Sequence, residues 1–240
     1  INSVSDLLSL ARNCAYDQWS VGKTVILQKD LSLEGMLWEP IPSFSGQFKG
    51  NGHTISDLTI TGQYSPAGLF GIVEEQGSIE SLSVRGVVSV SDSADTTTGG
   101  IVGINHGTLI SCQFTGVVTG DSEVGGIVGR NESEGTIDHS TARAIVTGKS
   151  STGGIAGYNL GAITGCTNVG SINTEYPEAS LDTDGFTAKM VDYINNKMAA
   201  ADDDATNSVT NVATDTGGIA GRSSGMILTS VNTGTIGYEH

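Results

Sequence analysis

Four histidines are the first side chains to consider for chemistry, because a neutral imidazole can bind a metal or transfer a proton near pH 7. No His-Glu-x-x-His sequence contains any of them, so the zinc-ligand pattern of metallopeptidases is absent. A Ser-His-Asp triad assembled by the fold stays an alternative. The four histidines are His53, His106, His139 and His240.

A group of acidic residues is the second candidate, because carboxylate oxygens bind calcium and paired carboxylates cleave glycosidic bonds. These residues lie close together in the sequence, where they either hold a calcium ion or solvate a turn. We favour solvation and expect no cofactor, with calcium binding as the alternative. The residues are Asp121, Glu123, Glu132, Glu134 and Asp138.

A polysaccharide lyase needs an arginine or lysine as its base, and Arg85 and Arg143 are the candidates. Both occupy the same position of the repeat described below. The other copies of the repeat have no basic residue there, but Thr115, Val169 and Thr233. The sequence contains no repeated or convergent acid–base pair. We therefore predict that the chain is not an enzyme, and a carbohydrate-active enzyme or binding module is the alternative.

The composition argues against two classes of partner. The chain has 240 residues, 34 glycines, 5% aromatic residues and a formal net charge of −15. A polyanion gains nothing from phosphate contacts, so we expect no binding to nucleic acid or to anionic membranes. No run of apolar residues is long enough to span a bilayer. Abundant glycine, threonine and β-branched residues are typical of many short strands joined by tight turns.

A repeated Gly-Gly-Ile-Val-Gly unit organises the chain. Its glycine, apolar, apolar, glycine core begins at Gly68, Gly100, Gly126, Gly154 and Gly218. The first four copies are roughly 26 to 32 residues apart, which is the length of one solenoid coil of two or three short strands. We therefore predict a parallel β-helix of about seven coils.

Aligning the copies places similar residues in columns, with one residue from each coil. Parallel strands stack about 4.8 Å apart, so each column becomes a ladder of neighbouring side chains. Two apolar columns are expected to point inward: Leu109, Ile137, Ile163 and Ile227, and Val118, Val146, Ile172 and Ile236. A third column alternates thiols and hydroxyls: Cys112, Ser140, Cys166 and Ser230.

Asparagines form a further column, at Asn105, Asn131 and Asn159. Asparagine tolerates left-handed backbone and bonds to neighbouring amides, so we interpret the column as a turn ladder. An asparagine-lined ligand groove is the alternative.

The three cysteines are expected to stay reduced. Cys112 and Cys166 lie two coils apart, which is beyond the reach of a disulfide between unmoved backbones. Cys14 belongs to the opposite end of the chain. We predict three free, buried thiols that fill the core as small apolar groups.

The glycine-rich units and the segment before them resemble two known kinds of sequence. The units, each followed by Asn and Gly, are similar to the GLUG motif of bacterial surface proteins. The segment from Phe48 to Ile60, with its Gly-Asn-Gly-His-Thr-Ile turn, resembles the first coils of pectin-lyase-like β-helices. Together the resemblances cover roughly residues 24–240. They imply a right-handed, single-stranded parallel β-helix on a bacterial exterior, as in adhesin-like proteins and in the non-catalytic regions of IgA-specific zinc metallopeptidases.

An amphipathic helix is predicted over residues 5–15, with Ser5 as its cap and Asp6 in its first turn. Its apolar stripe suits it to cover the first coil, because an open solenoid end exposes unpaired strand edges. Trp38 is expected to pack near the same end.

A helical insertion is predicted at residues 174–210, where the spacing of the repeat is too long by about one coil. Apolar residues recur at helical spacing over about 185–201. Packing on the solenoid flank is the favoured interpretation, and a partner-binding protrusion is the alternative. The candidate contact residues are Phe186, Met190, Tyr193, Ile194 and Met198.

We predict one all-β domain with a cap at 1–23, coils at 24–173, the insertion at 174–210 and a final coil at 211–240. Because the chain begins with Ile1 and not Met, we expect a mature piece of a longer precursor with further domains. The predicted function is a non-catalytic structural or adhesive segment of a secreted or cell-surface bacterial protein. Its expected partner is an unidentified protein or glycan of a host or cell surface.

Overall fold

The computed structural model describes residues 1–16, 18–90, 96–174 and 214–237. Within these ranges the chain forms one helix, α1, and the strands β1–β25, numbered in chain order. The strands pair in parallel, and successive strands pass from sheet to sheet before the chain returns one level further along the axis. The fold is the parallel β-helix that the repeat predicts.

Two sheets extend through seven levels of the solenoid. Sheet A contains, in spatial order, β1 (Thr24–Ile26), β4 (Gln47–Lys49), β7 (Ser78–Glu80), β11 (Thr108–Ile110), β15 (Thr136–Asp138), β19 (Ala162–Thr164) and β24 (Met226–Leu228). Sheet B contains β2 (Leu31–Ser32), β5 (Thr54–Gly62), β8 (Ser83–Val90), β12 (Gln113–Thr119), β16 (Thr141–Thr147), β20 (Thr167–Asn168) and β25 (Val231–Asn232), and β21 (Ser171–Ile172) also pairs with β16.

Two shorter sheets complete the wall. Sheet C contains β3 (Ile41–Phe44), β6 (Phe70–Val73), β10 (Val102–Asn105), β14 (Val128–Asn131), β18 (Ala156–Asn159) and β23 (Ala220–Ser223). Sheet D contains β9 (Thr98–Gly99), β13 (Val124–Gly125), β17 (Ser150–Gly153) and β22 (Thr214–Gly217). Among the described residues, the levels that hold Gly-Gly units from Gly99 onward contribute to all four sheets. The earlier described levels contribute no strand to sheet D.

The two predicted apolar columns form the interior. Leu109 pairs with Ile137, Ile137 with Ile163 and Ile163 with Ile227, in the predicted register. Val118, Val146, Ile172 and Ile236 are likewise neighbours in successive coils. The side chains of the inner coils are fully buried, so each coil completes the core of the one before it.

Glycines recur at one turn because the coils approach each other closely there. A Cβ added to Gly107 would clash with the carbonyl oxygen of Gly77, and one added to Gly161 would clash with that of Gly135. Gly225 meets Gly161 in the same way. The backbone separation of one coil from the next therefore excludes any side chain at this position.

Helix α1 spans Val4–Asn13, and Ser3 is its cap, not Ser5 as the sequence suggests. The Ser3 hydroxyl accepts a hydrogen bond from the Asp6 N–H at 3.2 Å, while Ser5 already lies inside the first turn. Leu7 and Leu10 are buried in the same core cluster as Trp38, as predicted. The Trp38 Nε1–H donates to the carbonyl of Leu69 at 3.2 Å.

Candidate functional site

The asparagine column is a fully buried ladder of amide hydrogen bonds. Asn105 donates through Nδ2 to Asn131 Oδ1 at 2.8 Å, and Asn131 donates to Asn159 Oδ1 at the same distance. The three side chains have no exposed surface. Because a ligand cannot reach them, the turn-ladder interpretation is correct and the alternative of an asparagine-lined groove is wrong.

Each asparagine in this ladder uses both of its N–H groups. One bonds to the next coil, and the other bonds within its own turn, for example from Asn105 to the carbonyl of Gly107 at 3.1 Å. The Asn105 Oδ1 in turn accepts from the Gly107 N–H. The ladder passes from Asn159 to the hydroxyl of Ser223 at 3.2 Å. Its polar groups therefore serve the stacking of coils.

A second asparagine ladder was not predicted. Asn168 donates to Asn232 Oδ1 at 2.7 Å, and the Gly170 N–H donates to Asn168 Oδ1 at 3.1 Å. In the preceding coils Ala142 pairs with Asn168, and Phe114 pairs with Ala142. Among the described coils, only the last two contain asparagine in this column, so it lacks the regularity that would identify it from sequence.

The thiol and hydroxyl column is also an internal ladder. The Cys112 N–H donates to Ser140 Oγ at 3.1 Å, the Ser140 N–H to Cys166 Sγ at 3.4 Å, and the Cys166 N–H to Ser230 Oγ at 3.2 Å. Burial raises the pKa of Cys112 to about 12 and that of Cys166 to about 11. Cys14 has a pKa of about 11 for the same reason. All three cysteines are free and buried, as predicted.

One surface cleft, of about 450 Å³, lies beside a β-bulge in sheet B. The bulge sets two residues, Ser56 and Asp57, opposite the single residue Arg85, and Asp57 adopts a positive φ of 59°. Ser32 and Ser56 both donate to Asp57 Oδ2, at 2.7 and 2.8 Å. Asp30, Thr54 and Arg85 also line the cleft. Arg85, the candidate lyase base, therefore lies among polar residues of this cleft.

His53 belongs to the rim of this region but forms no triad there. Its Nδ1 lies 3.2 Å from Asp30 Oδ1, while the serine hydroxyls donate to Asp57 instead. Asp30 also accepts from the Thr54 N–H, and this bond, with His53, lowers the pKa of Asp30. The imidazole thus holds a turn together, as the resemblance to β-helix entry segments implies.

A second cleft, of about 390 Å³, lies over the turns between sheets C and A. Ser43 donates to Glu74 Oε1 at 2.7 Å within it. His106 lines the same cleft. The remaining lining residues are Gln18, Val21, Ser45, Glu75 and Gln76. His139 is in another coil, with Nδ1 2.8 Å from Asp138, and His240 lies outside the described residues.

The acidic residues singled out as a calcium candidate contact basic or hydroxyl side chains. Arg130 contacts Glu123 at 2.6 Å and Glu132 at 2.8 Å. Lys149 contacts Asp121 at 2.7 Å, and the pKa of Glu134 is lowered by a hydrogen bond from Ser133. Within the residues that the structure describes, no three acidic, histidine or cysteine side chains converge as a metal site would require.

An arginine–tyrosine stack lies on the outer face of sheet C. Arg130, Tyr158 and Arg222 occupy one register position in successive coils. The guanidinium carbons lie 5.0 Å and 5.4 Å from the centre of the Tyr158 ring, within cation–π range. The column of Arg85, Thr115 and Arg143 is also in the predicted register, but on sheet B.

One Gly-x-Ser-x-Gly sequence occurs, at Gly221-Arg222-Ser223-Ser224-Gly225. The motif marks a nucleophile only where a strand turns into a helix. Here it connects β23 to β24, and the Ser223 hydroxyl donates to the carbonyl of Gly225 at 3.3 Å while accepting from Asn159. Ser223 is therefore part of the asparagine ladder.

The predicted insertion helix and its five candidate contact residues lie outside the described residues. This concerns Phe186, Met190, Tyr193, Ile194 and Met198. No helix in the described part of the chain is both long and apolar enough to cross a membrane.

Known proteins share part of this sequence. The GLUG motif family matches residues 120–147, so the chain carries the motif that its repeat resembles. Halomucin of Haloquadratum walsbyi is 30% identical over 155 residues, which is 59% of this chain and 2% of that protein. A predicted Gly-rich membrane protein of Evansella cellulosilytica is 29% identical over 137 residues, 41% of this chain and 16% of that protein. The chain thus spans a small part of the length of both relatives.

A solved structure is also similar in part. It is the crystal structure of a predicted immunoglobulin A1 protease from Bacteroides ovatus, with a TM-score of 0.43 and 16% sequence identity. The superposition covers 65% of this chain and 62% of that one.

Proposed function

We propose that this chain is a non-catalytic structural or adhesive β-helix segment of a secreted or cell-surface bacterial protein. The observation that carries the proposal is the use of the repeated polar side chains. The asparagines, serines and thiols of the repeat bond from coil to coil inside the solenoid, where they hold its levels in register. A repeat built for stacking makes a rigid spacer or display surface.

The location rests on the relatives. The GLUG motif and the names of Halomucin and of the Gly-rich membrane protein support a place outside the cell or on its surface. Labelling of intact cells of the source organism with antibodies against residues 96–174 tests this. Labelling only after cell lysis would contradict it.

The absence of activity is tested with a panel of a pectin, a glycosaminoglycan and a protein substrate. We expect no cleavage by the purified chain. The competing function is carbohydrate cleavage or binding at the bulge cleft, which is favoured because Asp30 and Arg85 line the same cleft. If cleavage or binding appears and is lost in Arg85→Ala, with Arg143→Ala as the matched control in the same column, that alternative is correct.

The insertion is the candidate contact surface for a partner, because it alone interrupts the repeat and insertions in solenoids often form binding faces. Deleting residues 176–206 should leave the solenoid folded and abolish binding to the host or cell surface. A matched variant keeps the length but replaces Phe186, Met190, Tyr193, Ile194 and Met198 by serine. Unchanged binding by both variants would defeat this part of the proposal.

A further inference from the structure

The cleft of about 390 Å³ between sheets C and A lies where a short turn is bordered by longer segments. The turn from β3 to β4 contains only Ser45 and Gly46, whereas the turn of the next coil, from β6 to β7, spans residues 74–77. Gln18 and Val21, from the loop that follows α1, also line the cleft. We call it the cap cleft, because part of its wall directly follows the capping helix.

The loop after α1 is fixed to the short turn by hydrogen bonds and close packing. The Ser45 N–H donates to Ser20 Oγ at 2.8 Å, and the Gln47 N–H donates to the carbonyl of Lys23 at 2.8 Å. A Cβ added to Gly46 would lie 2.7 Å from the carbonyl oxygens of Ser20 and Lys23, so the two segments touch there. The walls of the cap cleft are therefore held in place by the fold, as in a preformed ligand site.

The side chains of the cap cleft offer both hydrogen-bond donors and acceptors. They include carboxylates, amides, hydroxyls and an imidazole, and no lysine or arginine is among the lining residues that the structure describes. The Ser43 hydroxyl donates to Glu74 Oε1 at 2.7 Å, which orients this carboxylate. Glu75 is the second carboxylate, and the amides are those of Gln18 and Gln76.

Two features of the loop after α1 also favour ligand binding. Gln18 has a φ of 58°, in the left-handed region that residues other than glycine, asparagine and aspartate seldom adopt. Backbone strain of this kind is concentrated at ligand sites, where the surrounding structure maintains it. Val21 is 42% exposed and gives the same wall an apolar surface.

We propose that the cap cleft binds a neutral sugar unit of a glycan. A sugar hydroxyl both donates and accepts hydrogen bonds, as the amides and hydroxyls of the cleft do, while the C–H groups of the ring pack on Val21. An anionic sugar would place its charge beside Glu74 and Glu75 without a cation, and an ammonium ligand would use only the acceptors. The inference rests on the adhesive part of the proposed function, for which it names the class of ligand.

The test measures binding of the full chain to methyl glycosides of neutral hexoses and N-acetylhexosamines, titrated to millimolar concentration and followed by NMR. We expect at least one of them to bind saturably and to shift the amide signals of residues 74–76. The double variant Glu75→Ala, Gln76→Ala should weaken that binding by about tenfold or more, because two polar contacts to the sugar are lost. Both side chains are exposed, so the fold should tolerate the change.

The matched control comes from the equivalent turn two coils further along. Residues 132–135 form a turn of the same length between sheets C and A, in which Ser133 and Glu134 occupy the positions of Glu75 and Gln76. The double variant Ser133→Ala, Glu134→Ala removes exposed polar side chains there and should leave the affinity for the sugar unchanged.

No saturable binding of any glycoside would overturn the inference, as would equal weakening by the two double variants. Loss of binding in Arg85→Ala alone would place the sugar in the bulge cleft, which also overturns it. Binding of methylammonium but of no sugar would show that the class of ligand is wrong. A chain that binds the cell surface but no neutral sugar overturns only this inference, whereas one that binds sugars in the cap cleft but no cell surface contradicts only the adhesive function.

Discussion

The two ends of the solenoid differ in how their strand edges are covered. At the first coil the Gln28 N–H donates to the carbonyl of Ile1, and the Leu7 side chain of α1 is completely buried. At the last described coil, β22–β25, which we call the open end, Ile227 is 39% exposed although it belongs to the same column as the buried Ile137. Isoleucine at one position of the repeat is therefore fully buried in an inner coil and partly exposed in the last described coil.

The interior composition also differs between the ends. Phe44, Phe48 and Phe70 pack together at the capped end, with ring centres 5.4 to 6.3 Å apart. Toward the open end the interior consists of aliphatic residues and asparagines such as Asn168. We infer that stability is graded along the axis and that unfolding begins at the open end, as expected for a one-dimensional stack of coils.

The largest effect should come from the aromatic cluster at the capped end. Phe70→Ala should lower the free energy of unfolding by about 3–5 kcal/mol, because a large, fully buried ring leaves a cavity. Chemical denaturation measures this. Leu37→Ala is the control from the same region, since Leu37 is 73% exposed and its loss should cost little. A similar cost for both would show that the cluster does not anchor this end.

Ile137 and Ile227 occupy one apolar column, so truncating each of them compares an inner coil with the open end. Ile137→Ala should cost about 2–5 kcal/mol, as for other buried aliphatic truncations. Ile227→Ala removes the same atoms from a partly exposed site and should cost about 1 kcal/mol or less. If Ile137→Ala costs less than about 1 kcal/mol, the column is not core, and if both cost the same, the gradient is absent.

The asparagine ladders give a smaller but more specific contrast. Asn131→Ala leaves the Asn105 amide and the Asn159 carbonyl oxygen without their partner, and should cost about 1–3 kcal/mol. Asn232→Ala affects an exposed end of the other ladder and should cost about 0–1 kcal/mol. Thermal unfolding of both variants under one set of conditions provides the comparison. A larger loss from Asn232→Ala would reverse the order of the ends.

Ionisation of the three thiols should not change the stability of the fold near neutral pH. Their folded-state pKa values, about 11 to 12, lie above the ordinary value of 9.0. The neutral buried thiols therefore contribute fully below pH 9, and that contribution is lost as the pH rises through 11 to 12.

At pH 8 alkylation should require opening of the fold, and Cys166, which lies nearer the open end, should react before Cys14. Three thiols should titrate in denaturant without reductant. A smaller number would mean that a disulfide exists, and faster reaction of Cys14 would contradict the gradient.

The columns were predictable because a repeat shows the same choice several times. Leu109, Ile137 and Ile163 each lie two residues after the second glycine column of the repeat, so their common environment follows from alignment alone. The β-bulge at Asp57 occurs once and depends on a non-glycine residue with positive φ, which no periodic pattern indicates. The cleft beside it was therefore unforeseen. The helix was predicted, but its N-cap is Ser3 and not Ser5. A serine at either position could cap a helix that starts here, so the sequence did not distinguish them.

The buried amides from Asn105 to Asn159 all point in one direction along the solenoid. Each carbonyl faces the capped end and each N–H faces the following coil, so their dipoles add head to tail as peptide dipoles do in a helix. In a medium of low dielectric constant, every added amide polarises those already present and strengthens their bonds. The column thus has an electrical polarity, with its positive end toward Ser223, and each of its hydrogen bonds strengthens the others.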